Sequence, residues 1–257
     1  MLVLLSCAKT MSAVSKVKVP LTTSPRFQKE AAEIALQMSQ FSVDELERLL
    51  RVNAKIAVEN YKRYQAFHAE TTPELPALLA YTGIVFKRLN PKDFSAEDFG
   101  YAQEHLRLTS FCYGLLRPLD VIRAYRLEGD VVLPELGNQT MFSYWQSRLT
   151  DIFIEDIKNA GGILCNLASD EMKSLFDWKR VEKEVHVITP EFQVWKNGKW
   201  ASVVIYIKMS RGEMTRFVLK NKIENPEELK HFSWEGFEFN ESLSDEKKFV
   251  FTNGKEI

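Results

Sequence analysis

Apolar positions change period several times along this chain, and the changes divide it into elements. Residues 2–6 form an unbroken, mostly apolar run, LVLLS, which predicts a buried strand. A loop at 6–10 and a polar connector to about Pro25 follow. From 26 to 69 the spacing becomes helical. A first helix is expected over 28–40. Ser42 and Glu45 have the spacing of a capping box, so a second should begin at Val43. Asn53 is placed to cap a third that runs to about Phe67. Pro73 and Pro76 end this region, residues 78–82 predict a short strand, and Ser95 opens another helix to about His105.

The second half is punctuated by turns. A helix is predicted around 141–159, broken by Gly161 and Gly162, before a fully buried strand at 163–167. Residues 185–188, 193–195 and 200–208 are rich in β-formers, and Asn197-Gly198 marks a hairpin turn. Ser210 and Glu213 repeat the capping-box spacing and predict a helix from there to Lys222. A shorter helix after Asn225-Pro226 and a terminal hairpin from 237–239 and 249–251 complete the chain. Helices and strands are interspersed without repeats or long linkers. The expected fold class is α/β, of the mixed α+β kind: a single domain over 1–257, with a mixed sheet, flanking helices and a helical hairpin sub-region at about 42–69.

Composition narrows the setting. A chain of 257 residues, 45% hydrophobic and 27% charged, can bury one sizeable core. Cys7, Cys112 and Cys165 lie far apart without a C-x-x-C pair, which argues against a disulfide framework and suits a reducing compartment. The N-terminal apolar run is too short for a signal peptide and has no basic residues ahead of it. No apolar run approaches the roughly 18 residues of a membrane span. A cytoplasmic protein with no membrane partner is expected. The four histidines (68, 105, 186, 231) show no metal-ligand spacing, and no Walker A, G-x-G-x-x-G or G-x-S-x-G motif occurs. Neither metal nor cofactor is therefore expected, and a monomer is the favoured oligomeric state.

Net charge is −1, so any affinity for nucleic acid must come from local patches. Two patches stand out. Between Trp195 and Lys222 there are seven basic residues and one acid, Glu213. Lys208, Arg211 and Arg216 there flank the predicted helix start, where free N–H groups favour an anion. A plain solvated helix face is the competing reading. Arg107, Arg117, Arg123 and Arg126 make the second patch, and ion pairing with Glu128, Asp170 or Glu171 competes with ligand binding.

Residues 46–64 raise a third possibility. Leu49, Val52, Lys55 and Ala57 sit where a helix-hairpin-helix motif has its L, V, K and A, with Arg48, Lys62 and Arg63 nearby. Arg51 and Asn53 replace the motif's two glycines, which normally let the main chain approach a phosphate. Asn tolerates positive φ, so Arg51 is the larger departure. Spacing alone fits an ordinary packed helical corner better. For catalysis, the segment NLASDE at 166–171 follows a buried strand and offers Asp170 or Glu171 as a general base. Cys7 is either a nucleophile of lowered pKa or a small buried filler. If the loops at 6–10 and 166–171 share a cleft, Lys9, Arg117, Asp170 and Lys208 line it.

Taken together, MLVLLSCAKT at the N-terminus, YGLLRPLD with YRLE at 113–128, NLASDE and the KMSRGEMTRF run at 208–217 resemble the YaaA family of bacterial peroxide-stress proteins over essentially the whole chain. The resemblance implies a grooved single-domain α/β fold with a helix-hairpin-helix element at 49–57 and a basic cleft at Lys9, Arg117, Arg123, Arg126, Lys208, Arg211 and Arg216. It also implies binding of double-stranded DNA, protection from oxidative damage and an association with lowered free intracellular iron. The leading expectation is a protein that binds duplex or branched DNA through phosphate contacts, without sequence readout. Family members usually carry Pro at position 7 and an aromatic at 172, where this chain has Cys7 and Met172. The alternative expectation is an enzyme for a small anionic or nucleotide-like substrate. Its base would be Asp170 or Glu171, and Arg117, Lys208 and Arg211 would hold the anion. Direct iron storage is disfavoured by the lack of ligand spacing.

Overall fold

A computed structural model of the chain describes residues 1–254, so the last three residues of the expected 1–257 domain lie outside the described residues. In chain order, β1 (Leu2–Leu5) leads through a long connector to α1 (Gln28–Met38), α2 (Val43–Leu50) and α3 (Ala54–Ala66). Next come β2 (Glu74–Pro76), α4 (Ala77–Ala80), α5 (Ile84–Leu89) and α6 (Ala96–His105). The centre holds β3 (Leu106–Ser110), β4 (Gly114–Leu116), β5 (Val121–Arg123), β6 (Val132–Leu133), β7 (Gln139–Thr140) and α7 (Met141–Asn159). The last third contains β8 (Ile163–Asn166), α8 (Asp170–Lys173), α9 (Trp178–Glu184), β9 (His186–Lys196), β10 (Lys199–Ala201) and α10 (Val204–Asn221). It closes with β11 (Glu238–Phe239) and β12 (Lys248–Asn253).

Eight strands form one mixed sheet in the order β11-β12-β9-β8-β1-β3-β4, with β10 on β9. The inner strands β3, β1, β8, β9 and β12 run parallel, while β4, β10 and β11 are antiparallel. Burial on both faces explains why LVLL is apolar throughout: all four side chains are inaccessible. From β1 the chain crosses to β3 on one side, whereas β8 continues to β9 on the other. The strand order therefore reverses between β1 and β8. The crevice outside the carboxyl ends of such a strand pair is where open α/β sheets place ligands.

The capping-box expectation holds at Ser42, whose hydroxyl and Glu45 cap reciprocally, and Asn53 Oδ1 accepts from Ile56 N–H to start α3. Two other expectations fail. Residues 78–82 are not a strand, because Pro76 precedes a helical turn, α4, whose first amides donate to Asp120 and Pro118 carbonyls. A short apolar run reads alike as buried strand or buried helix. Likewise 200–208 is a strand only to Ala201, and α10 begins at Val204, so Ser210 is a buried mid-helix residue and no cap. The β-branched residues of 203–207 suggested a strand, but they lie on exposed and half-buried faces of the first turns of α10. Lys208, Arg211 and Arg216 thus lie within a helix and not at its start. The left-handed residue at the α2–α3 corner is Arg51 (φ 50°), while Asn53 is extended (φ −76°), the reverse of what glycine substitution alone suggests.

Candidate functional site

Two loops leave the carboxyl ends of β1 and β8 side by side and are pinned together. Leu167 N–H donates to Leu4 carbonyl (3.0 Å), Ser169 N–H donates to Ser6 Oγ (2.8 Å), and the two serine hydroxyls lie 3.2 Å apart. Cys7 N–H donates to Thr109 Oγ1 (3.3 Å), which ties the first loop to β3 as well. Above them opens a cavity of about 410 Å³ with apolar walls that include Leu5, Phe86, Phe111, Leu127 and Met172. Its size is in the range of small-molecule sites.

α10 closes one side. A Cβ on Gly212 would lie 2.2 Å from Val85 carbonyl oxygen and 2.7 Å from Arg88 Cβ, so only glycine lets α10 cross α5 at backbone contact. Lys208 and Arg211, three residues apart on one helical face, are thereby held over the cavity, which Gly83, Ile84 and Val85 also line. No protein acceptor meets the Arg211 guanidinium among the described residues, and its Nε is buried without a partner. Burial pulls the Arg211 pKa down, opposed only by the charge of Asp170. At the opposite side Glu128 is buried; its Oε2 accepts from Lys9 Nζ (2.6 Å) and its Oε1 lies 3.3 Å from Arg126 Nη2. Glu171 also lines the cavity.

The expected cleft residues separate into two groups. Lys9, Arg126, Lys208, Arg211, Glu171 and Cys7 converge on the cavity. Arg117 is instead held by Asp120 (2.9 Å), Arg123 by Glu74 (2.9 Å) and Arg216 by Asp93 and the carbonyls of Leu89 and Asn90, and none of the three lines it. Arg107, in the interior of β3, pairs with Asp156 (2.7 Å). Asp170 points to Lys173 (2.8 Å), whose hydrogen bond holds its carboxyl below the usual range and makes it a poorer base. Cys7 does not have the lowered pKa of a nucleophile: burial raises its thiol to about 12.

The sequence matches the profile of the family described as peroxide stress protein YaaA over residues 1–243. A UPF0246 protein of Bacteroides thetaiotaomicron is 91% identical over 254 residues, covering 99% of each chain. One from Crocosphaera subtropica is 36% identical across 98% of this chain and 99% of its own. The chain belongs to the YaaA peroxide stress protein family.

In this YaaA family member the helical hairpin meets the cleft at one point. A second recess of about 420 Å³ shares Lys9, Arg126, Glu128 and Glu171 with the first and reaches Leu50 and Arg51 at the end of α2. Arg51 pairs there with Asp130, and Tyr64 of α3 donates to Arg126 carbonyl (2.5 Å). Arg63 is taken up by Glu59 and Asn60. Arg48, Lys55 and Lys62 are exposed, with no carboxylate in ion-pair reach among the described residues. The sequence reading missed Glu128 as a lining residue and the Ser6–Ser169 clip. The YRLE segment held the signal for Glu128, but only the packing of Lys9 onto it shows which way it faces. No group of three or more His, Cys, Asp or Glu among the described residues is placed to hold a metal ion, and no described helix is long and apolar enough to cross a membrane.

Proposed function

We propose that this peroxide-stress protein acts by binding a small anionic, nucleotide-like ligand in the cavity above β1 and β8. The observation that carries this reading is Arg211, half-buried with its Nε fully buried, facing a cavity at the strand-order reversal and lacking a protein acceptor among the described residues. A half-buried guanidinium with a buried, unpaired N–H is unfavourable, and an oxyanion from outside the chain reduces the cost. Of the two roles foreseen, this favours the small-ligand one, with Lys208 and Arg211 on the anion. Arg117 has no part in it. Glu171 replaces Asp170 as the carboxylate available at the site. Thermal denaturation with inorganic phosphate, pyrophosphate and nucleoside monophosphates tests the reading. One of these is expected to raise Tm for the native chain and not for Arg211→Met. Equal behaviour of the two proteins with every anion overturns it.

Phosphate-led binding of duplex or branched DNA is the second reading. Arg48, Lys55 and Lys62 favour it, since they are exposed on a helical hairpin with no carboxylate at ion-pair distance among the described residues. This is the helix-hairpin-helix role expected of the family, here with Arg51 in the left-handed conformation a glycine usually takes. Such binding weakens steeply between about 50 and 200 mM salt. Anisotropy titrations with duplex, single-stranded and four-way-junction DNA test it, and an affinity unchanged by salt or by Lys55→Glu with Lys62→Glu overturns it. Any lowering of free iron would then follow from the ligand or the DNA contact, since three-ligand clusters for iron storage are lacking among the described residues.

A further inference from the structure

We infer that the cavity is built for a phosphomonoester dianion on an apolar body of nucleotide size, in preference to a carboxylate or a phosphodiester. This inference rests on the reading that Lys208 and Arg211 hold the ligand's anion, and it goes further by fixing the charge of that anion. The side chains lining the cavity include four cations, Lys9, Arg126, Lys208 and Arg211, and two carboxylates, Glu128 and Glu171. Their sum, four minus two, is +2. Asp170 is outside the lining and pairs with Lys173, although its charge still reaches Arg211.

The distribution of that charge matters as much as its size. Glu128 takes both Lys9 and Arg126, so this trio keeps a single positive charge, which the other lining carboxylate, Glu171, balances in the sum. Lys208 and Arg211 have no carboxylate within ion-pair distance among the described residues, and together they present two cations on one face of α10. Lys208 is exposed and Arg211 half-buried, so an unmatched charge is felt chiefly at Arg211; a dianion meets guanidinium and ammonium together, where a monoanion satisfies only one of them. A phosphomonoester also offers three acceptor oxygens to a guanidinium fork and an ammonium, where a carboxylate offers two. The rest of the cavity is wider than a phosphate and walled by Phe86, Phe111, Leu127 and Met172, which suits a flat apolar body such as a nucleobase. Two sources share this chemistry: a free mononucleotide and the phosphorylated end of a strand.

The second ionisation of a phosphomonoester lies near pH 6. A site that selects the dianion therefore binds more tightly as pH rises through that value. The charged or titratable groups facing the ligand are Lys9, Cys7 and Tyr125, Arg126 and Glu128, Glu171, and Lys208 and Arg211, from every element around the cavity; no histidine is among them. Calorimetric titrations of the full chain at about pH 5 and pH 7.5, with the four common nucleoside 5′-monophosphates, their 5′-methyl phosphodiesters and the parent nucleosides, test the inference. A monophosphate is expected to bind about tenfold or more tightly at the higher pH, following the dianion fraction. Its methyl ester, a monoanion throughout, should bind about tenfold more weakly and without pH dependence. Lys208→Met and Arg211→Met should each remove most of the pH dependence, and Lys208, being exposed, keeps the test valid if Arg211→Met does not fold. Equal binding of monophosphate and methyl ester at both pH values overturns the dianion inference while leaving the anion site intact. Failure of every phosphate-bearing probe overturns the underlying reading together with it. A 5′-phosphorylated oligonucleotide that outbinds the mononucleotide identifies the strand end as the source, and the converse identifies the free nucleotide.

Discussion

Arg211 shows how far a single residue could be read. Its charge and its place in a basic run are legible in KMSRGEMTRF, but its isolation is not. Seven cations between 196 and 222 look equivalent along the chain. In the fold Arg216, Lys220 and Lys222 each meet a carboxylate from the segment around α6, Asp93, Asp98 and Glu97, and only the packing of α10 shows that Arg211 is half-buried yet meets none among the described residues. Cys7 teaches the same lesson in reverse: its position after β1 is plain in the sequence, while the burial that raises its thiol is not. An unpartnered, desolvated guanidinium should cost stability in the ligand-free protein. Arg211→Met, similar in length and apolar, is expected to stabilise that state by about 1 kcal/mol while abolishing anion binding. For a chain of this size the Tm should rise by about 2–4 °C. A variant that loses both stability and binding would show that Arg211 supports the fold and would remove the argument for a functional role.

At the scale of elements, the helical hairpin and β1 followed directly from their patterns, because each combines a strong periodic or apolar signal with an unambiguous start. α10 did not. Its N-cap and first turn carry Val203, Val204 and Ile205, and a chance Ser-x-x-Glu match at Ser210 moved its apparent start seven residues too late. What decides the helix is its crossing with α5, and that rests on Gly212. Gly212→Ala should cost about 1–3 kcal/mol, since the new Cβ meets a backbone carbonyl that cannot rotate away. It should also weaken ligand binding, because α10 carries Lys208 and Arg211 outward with it; denaturant titration and calorimetry measure the two effects.

A further anchor of α10 is Asp98, which caps α6 through Ser95 and accepts from Lys220 Nζ (2.8 Å). Burial works against its charge, but the Lys220 and Ser95 hydrogen bonds outweigh it and hold the carboxyl below the ordinary value. A folded-state pKa depressed in this way contributes stability above the unfolded pKa, about 4, and loses it as pH falls through the folded value. Asp98→Asn should therefore cost about 1–3 kcal/mol at neutral pH. Its deficit against the native chain should shrink in unfolding curves taken below about pH 4. A deficit independent of pH would mean that the cap alone, and not the charge, is what α6 needs.

Over the whole molecule, the fold class and the strand-end loops were legible because parallel strands buried on both faces must be apolar and must end in polar loops at one edge. The electrostatic surface was not, because ion pairs join residues distant in sequence. Arg107, Arg117, Arg123 and Arg216 are all held internally, so the basic clusters of the chain do not add up to a basic face. Among the described residues two cationic sets bear on the proposed roles, Arg48, Lys55 and Lys62 on the hairpin and Lys208 with Arg211 over the cavity. Their separation makes the two proposed roles independently testable. Three hairpin contacts predict a slope of log affinity against log salt of about −3 or shallower for duplex DNA, since each phosphate contact contributes about 0.9. Charge reversal of the hairpin set should abolish duplex binding and leave mononucleotide titrations unchanged. Arg211→Met should do the opposite. If either substitution removes both activities, the two sets act on one ligand that spans the recess between Arg51 and Arg126, and the mononucleotide is then a fragment of the strand that the cleft and the hairpin grip together.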